Sequence, residues 1–475
     1  MSESETIKNP MGYKPIPKLL FSLAVPAIIA NVVNALYNIV DQIFIGQGVG
    51  YLGNAATNIA FPITTICMAI GLMVGLGAAS SFNLELGRKN TEKAKHVAGT
   101  ASGLLLISGV FLCILIRIFL EPMMHAFGAT DQILHYAMEY TGITSFGIPF
   151  LLFSTGINPL VRADGSSTYS MVAIISGALL NTILDPLFIF GFGMGIAGAA
   201  WATVISQILS ALLLLLYFPR FKSIKLKLKD FIPQFHAIKT IVTLGFSSFI
   251  FQFSTMIIQI TTNNLLNIYG MTSIYGSEIP IAVAGIAAKI NVIFTSIILG
   301  IVQGSQPICG FNYGAKNYER VKETVHVLMK ATFIVSLIAF ACFELFPSQI
   351  ISLFGSGNDL YFAFATKYMR IFLFFTFANG IQIACTTFFP AIGKAVKGAF
   401  LSLTKQIIFL LPLLLLLPQV IGIEGLIFAA PIADCIAFII AICLLIKELR
   451  KMPKNEMKEE NVYEFKLETE ANHCA

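Results

Sequence analysis

Charge is what this sequence has least of. Its 31 Lys and Arg and 25 Asp and Glu make up only 12% of 475 residues, against 56% hydrophobic residues and a mean hydropathy of +0.80. Soluble globular domains carry about a quarter charged residues, so an ordinary water-soluble fold is excluded. Tryptophan occurs once, and the eight cysteines form no CxxC pair and have no histidine partner at metal-ligand spacing. Cys67, Cys113, Cys309, Cys342, Cys385, Cys435 and Cys443 lie inside apolar runs and Cys474 near the C-terminus. They read as small packing residues, not as redox or zinc chemistry. No phosphate loop is present, and no nucleophile, metal set or acid–base cluster stands at catalytic spacing. The chain therefore does not read as an enzyme, and no cofactor is expected.

What the chain has in abundance is long apolar sequence. A membrane-spanning helix needs roughly 20 mostly apolar residues. Such runs begin near residues 19, 54, 97, 133, 168, 196, 239, 280, 324, 362, 398 and 424. The expectation is an all-α integral membrane protein with twelve transmembrane helices. The first run follows "MSESETIKNPMGYKPIPK" and lacks a small-residue cleavage pattern, so it is expected to be retained as a helix. Basic residues alternate between loops. They cluster at Lys8, Lys14 and Lys18, at Arg88 to Lys95, at Arg162, at Arg220 to Lys229, at Lys316 to Lys322, at Lys394 and Lys397, and at Lys447 to Lys451. Lys and Arg in short loops resist translocation, which puts both termini on the cytoplasmic side of a cell inner (plasma) membrane. The net charge of +6 then belongs to the inner face and its lipids, not to a nucleic-acid site.

The chain also repeats itself. "GRKNTEKAK" at Gly87 is answered by "GAKNYERVK" at Gly314, with Lys93 opposite Arg320. At nearly the same offset "AATNIA" meets "AVAGIA", "AFG" meets "LFG", "RADG" meets "PAIG", and "GIAGAAWA" meets "GIEGLIFA". Two pseudo-symmetric six-helix bundles follow. They are expected at 1–218 and 240–447, joined by a basic cytoplasmic linker at 219–239 whose "KLKLKD" reads as an interfacial helix, with a cytoplasmic tail at 448–475. An even number of helices gives both halves the same direction, the design of a transporter that opens a central cleft to one side at a time.

Two carboxylates stand where lipid-facing sequence would be expected: Asp41 in "NALYNIVDQIFIGQG" and Asp185 in "NTILDP". A charged aspartate at a helix centre costs at least about 2.5 kcal/mol, so such an acid is a functional candidate. Asn181 and Asp185, four residues apart, share a helix face. Pro186 has no N–H for the Thr182 carbonyl, and Pro26 has none for that of Ser22. Pro26 is then either a place where the first helix bends in the working cycle or a static kink. Asp41 shares a face with Tyr37, and Asn34 lies near the next turn.

Taken in order, the GxKNxE loops, Pro26 with Asp41, "NxxxDP" and "GIAGAAWAT" resemble the multidrug and toxic compound extrusion (MATE) transporters, in the prokaryotic branch of the DNA-damage-inducible F proteins and MepA-type pumps. The resemblance covers essentially the whole chain. It implies that Asp41, Asn181, Asp185 and Thr203 form a cation site, with Tyr37 beside them. A proton is the favoured coupling ion, with Na+ at Asp41, Asn181 and Asp185 as the alternative. In the C-terminal half Gln252, Gln259, Asn379 and Gln382 stand where sodium-coupled relatives use acids, which favours coupling through the N-terminal pair. The implied function is antiport of amphipathic organic cations by a protein working as a monomer. A lipid or lipid-linked saccharide flippase is the alternative, although such a cleft should carry cations.

Further expectations concern individual residues. Phe150, Phe153, Tyr37, Met256, Phe374 and Phe388 are candidates for a drug cleft, although with 41 Phe most rings must pack or face lipid. Lys289 and Asp434 are candidates for a structural ion pair. The GxKNxE loops read as helix caps and inner gates, and "RADG" as a cytoplasmic turn, with a pairing of Arg162 to a loop acid as the alternative.

Overall fold

The computed structural model describes residues 9–276, 278–352 and 359–453. The tail expected from 448 therefore lies, beyond 453, outside the described residues, as do Lys8 and Cys474. The spans, labelled here in chain order, are α1 Ile16–Gly48, α2 Tyr51–Gly87, α3 Thr91–Ile118, α4 Asp131–Ala163, α5 Ser167–Gly191 and α6 Gly195–Arg220. The second half has α7 Phe235–Met271, α8 Glu278–Gly314, α9 Tyr318–Leu345, α10, α11 Ala395–Ile421 and α12 Ile423–Lys451. α10 is a pair, Asp359–Phe372 and Thr376–Ala391, bent by 45°. The two largest clusters of buried apolar side chains lie mostly one in each half, and smaller clusters bridge the halves. Of the two largest, one surrounds Phe82, Leu105, Leu152 and Leu160, the other Leu266, Ile298, Phe364 and Ile427.

Every helix starts one to six residues before the apolar run that announces it. The largest gaps, six residues each, are at α3 and α9, where the polar GxKNxE sequence is itself the first turn. The side-chain oxygen of Asn90 accepts from the Lys93 N–H at 3.3 Å, and that of Asn317 from the Arg320 N–H at 3.4 Å. An asparagine cap of this kind satisfies an amide that the helix leaves without a partner. The residues just before, Lys89 and Lys316, both have φ of 61° and are the non-glycine residues with positive φ among those described. A repeat visible as letters is thus a repeat of backbone conformation.

The linker departs from expectation: instead of an interfacial helix it forms two short 3₁₀ turns, Phe218–Arg220 and Leu228–Phe231. Its alternation puts Ile224 inside and leaves Lys225 and Lys227 exposed, a period of two that suits an extended chain. The buried Asp164 carboxylate accepts from the Tyr217 hydroxyl at 2.6 Å and from the Lys222 and Ser223 N–H groups at 2.7 and 2.9 Å. Asp230, also buried, accepts from the Lys227 N–H at 2.8 Å. A Cβ on Gly99 of α3 would lie 2.0 Å from the Asp230 carbonyl oxygen, so the linker is pressed onto the first half. α7 begins at Phe235, inside the stretch expected to be linker.

The halves meet through glycine at the end that bears the GxKNxE loops. A Cβ on Gly77 of α2 would sit 2.0 Å from the Ile241 carbonyl oxygen of α7, and one on Gly245 1.7 Å from that of Met73. The repeat-related contact sets Gly304 of α8 against Ala24 of α1, whose backbone N would be 2.7 Å from an added Cβ. Gly87 and Gly314, the paired ends of α2 and α8, also touch: a Cβ on Gly87 would lie 3.0 Å from the Gly314 Cα. Small residues let spans approach this closely where lipid supplies no hydrophobic drive. We predict that Gly77→Ala, Gly245→Ala and Gly304→Ala each lower thermal stability in detergent, by about 1–3 kcal/mol of overpacking. Gly285→Ala, with open space around it, should not. Equal melting of all four variants and the parent would show that close approach does not hold the halves.

Candidate cation and substrate site

The first half encloses a cavity of about 310 Å³. α1 contributes Asn34, Tyr37 and Asp41 to its wall, α5 contributes Asn181, and α6 contributes Thr203. Asp41 is 8% exposed and reaches the cavity, whereas Asp185, fully buried, stands behind the wall. The Asp41 and Asp185 carboxyl groups nevertheless lie within hydrogen-bonding reach of each other. The Gln42 amide donates to Asp41 at 3.3 Å, and its oxygen accepts from the Thr57 hydroxyl of α2 at 3.1 Å. Asn181, four residues before Asp185, donates to it at 3.2 Å. The i, i+4 geometry read from the sequence is what joins them.

Neither carboxylate has a Lys, Arg or His within 4.0 Å among the described residues. Asp41 Oδ1, Asn181 Oδ1 and Asp185 Oδ2 are buried without any donor. Three oxygens from two carboxyls and an amide fit the chemistry of a small hard cation or of a proton held between two acids.

Local backbone shape follows from the prolines. Pro186 ends the α-helical ladder of α5, and Leu187–Gly191 widen into a π turn, with the Phe192 N–H on the Leu187 carbonyl at 2.9 Å. Such turns recur at functional sites because they re-aim a helix without ending it. Pro26 lies inside a continuous α1, and the Ser22 hydroxyl donates to the Leu19 carbonyl at 2.8 Å.

Several expectations need correction. Of the six cleft candidates Tyr37 alone lines the cavity; Phe153 and Phe388 are buried in the cores at 4% and 2% exposure, and Phe374 packs on Phe340. The wall mixes amides and hydroxyls with aliphatic side chains such as Ile63, Met68, Leu72 and Ile174. Tyr140 also borders it, and no signal in "MEYTGIT" marks it out. Asp434 pairs not with Lys289 but with Lys405, at 2.8 Å. Lys405 sits in the π segment Thr404–Leu410 of α11, which turns it toward α12, whereas Lys289 is on an exposed face of α8. Lys405 also donates to Asn379 at 2.8 Å, and Asn379 to Asp434 at 2.9 Å, closing a triangle. Arg162 takes no loop acid: its guanidinium donates to Asn158, and Asp164 is held by the linker.

Two linked six-helix bundles, one of them holding a cavity, have the architecture of a membrane transporter, and the relatives of the chain are transporters and not enzymes. The chain belongs to the MatE family, whose profile matches residues 26–187 and 243–416. It is 24% identical over 433 residues to the "Multidrug export protein MepA" of Staphylococcus haemolyticus (strain JCSC1435), an alignment covering 90% of this chain and 93% of the relative. A solved structure described as the outward-facing conformation of a multidrug resistance MATE family transporter of the MOP superfamily is similar with a TM-score of 0.86 at 25% identity, covering 94% of this chain and 98% of the other. A MOP superfamily transporter from Pyrococcus furiosus Vc1 (DSM3638), described as having a binding pocket of reverse polarity, shares the fold with a TM-score of 0.86 at 24% identity, covering 94% and 98%.

The two halves make opposite predictions for stability. Lys405→Met strands a buried carboxylate and should cost about 3 kcal/mol, measurable as a fall in melting temperature. Lys405→Met combined with Asp434→Leu should recover most of it. Asp41→Asn removes no cation's partner and should melt no lower than the parent; a lower melting temperature would make that acid a structural fastener.

Proposed function

We propose that the protein is a secondary active efflux transporter that exports amphipathic organic cations by alternating access, driven by inward movement of protons through Asp41 and Asp185. The observation that carries this reading is a pair of buried carboxyl groups with no cationic partner, one of them on the wall of the cavity. Two like charges so close repel strongly, and one proton shared between them removes the repulsion. A proton also fits better than Na+, which would need several oxygens converging at about 2.4 Å and would compete for the same three.

The exchange follows from charge. With the pair ionised, the cavity holds a cationic substrate by electrostatic attraction; protonation from outside cancels that field and releases it. Proton and substrate thus exclude each other, and each entering elementary charge contributes about 2.3 kcal/mol per 100 mV of membrane potential. Tyr37 and Tyr140 offer ring faces suited to an organic cation. Names of relatives such as the multidrug export protein above support this substrate class. The closed end, carrying the basic loops, is read as cytoplasmic in a plasma membrane, with both termini on that side and the protein acting as a monomer.

Proteoliposomes test the coupling. An imposed pH gradient should drive ethidium movement, and Asp41→Asn and Asp185→Asn should each reduce it at least about tenfold, the scale of a 1.4 kcal/mol loss. A requirement for Na+ without a pH gradient would keep the site and change the ion. Undiminished movement in both variants would sink the assignment.

A further inference from the structure

Arg162, one residue from the end of α4, is 5% exposed, yet no carboxylate lies within 4.0 Å of it among the described residues. Its partners are neutral. The guanidinium donates to the Asn158 side-chain oxygen and, at 3.4 Å, to the Ser170 hydroxyl, which itself donates to Asn158 at 2.9 Å. Asn158 in turn donates to the Ser170 carbonyl at 3.3 Å, so the group is oriented without being neutralised. The nearest loop acid, Asp164, is fully engaged by Tyr217, Lys222 and Ser223.

Arg162 lines the same cavity as Asp41. Ile148, Leu151, Thr155, Asn158 and Arg162 follow one another along the wall at spacings of three or four, a single face of α4. At 1.5 Å per residue that face is about 21 Å long. The cavity is therefore bipolar, with uncompensated acid toward the outer turn of α1 and an uncompensated guanidinium at its floor. Each charge is held in a setting where only an opposite charge from elsewhere can complete it.

We propose that the Arg162 end is an anion subsite, and that the cavity accepts zwitterionic amphiphiles whose cationic group lies toward Asp41 and whose carboxylate meets Arg162. A planar guanidinium held by two neutral oxygens can give its remaining N–H groups to a carboxylate as a charge-assisted pair. This inference rests on the cavity being the substrate site.

A matched pair of dyes tests it: rhodamine 110, which carries a free carboxylate, and rhodamine 123, its methyl ester. Binding of each to the purified full chain is measured by fluorescence polarisation. The parent should bind the acid at least as tightly as the ester, and Arg162→Gln should lower the ratio of acid to ester affinity about tenfold or more, equivalent to at least 1.4 kcal/mol. Arg162→Lys should retain part of the preference. A merely structural Arg162 would weaken both dyes equally and leave the ratio unchanged, which would overturn the proposal. Should Arg162→Gln not fold, the parent still decides, because ester bound and acid rejected overturns the subsite alone. Neither dye bound overturns the reading of the cavity as the substrate site, and this inference with it.

Discussion

Two carboxyl groups removed from water and given no counter-charge are the constraint around which the first half is arranged. Desolvation penalises their charged forms and mutual repulsion penalises them further, so the pair is comfortable only when something positive is shared between them. Gln42 and Asn181 each donate one hydrogen bond to the pair, while one oxygen of each carboxyl is left open. In the proposed exchange, that remainder is where the shared proton would sit. A fully satisfied cluster would fasten helices and do nothing else.

The second half shows that alternative. Asp434, Lys405 and Asn379 close on one another, and a π segment in α11 brings the lysine to the acid. Both halves thus place an acid near a π segment in their fifth span, but one half cancels the charge internally and the other leaves it open. The same contrast appears at the loops after the fourth span of each half. In the first, the loop acid Asp164 is held by donors from α6 and the linker; in the second, the acid is Glu448 of α12, and the loop supplies Lys394 and the first turn of α11 supplies Lys397. The polarity of the contact is reversed while its place is kept.

Much of this was legible in the chain. Twelve apolar runs announce twelve spans, and the paired GxKNxE loops announce both the repeat and its asparagine caps, because capping is local chemistry that letters record directly. Asn181 and Asp185 were legible as a unit for the same reason. The partner of Asp434 was not, since hydropathy shows that Lys289 and Lys405 both interrupt apolar runs but not which way each faces; a π turn reassigns the face. Of the aromatic cleft candidates only Tyr37 borders the cavity, because among so many phenylalanines composition cannot separate core from cavity. Arg162 stands just before a recognisable turn, yet its isolation from acid emerges only when the linker is seen to occupy Asp164.

The linker bears on movement as well. Asp164 binds it to the first half at Lys222 and Ser223, the Asp230 backbone presses on Gly99, and Gln234 meets Thr100 through its backbone N–H at 3.3 Å. Almost no slack chain remains before α7 begins at Phe235. While those contacts hold, the root of α7 is a fixed pivot. Under the proposed alternating access, the second half would swing about it as a door swings on one jamb, with the largest excursions at the far rim.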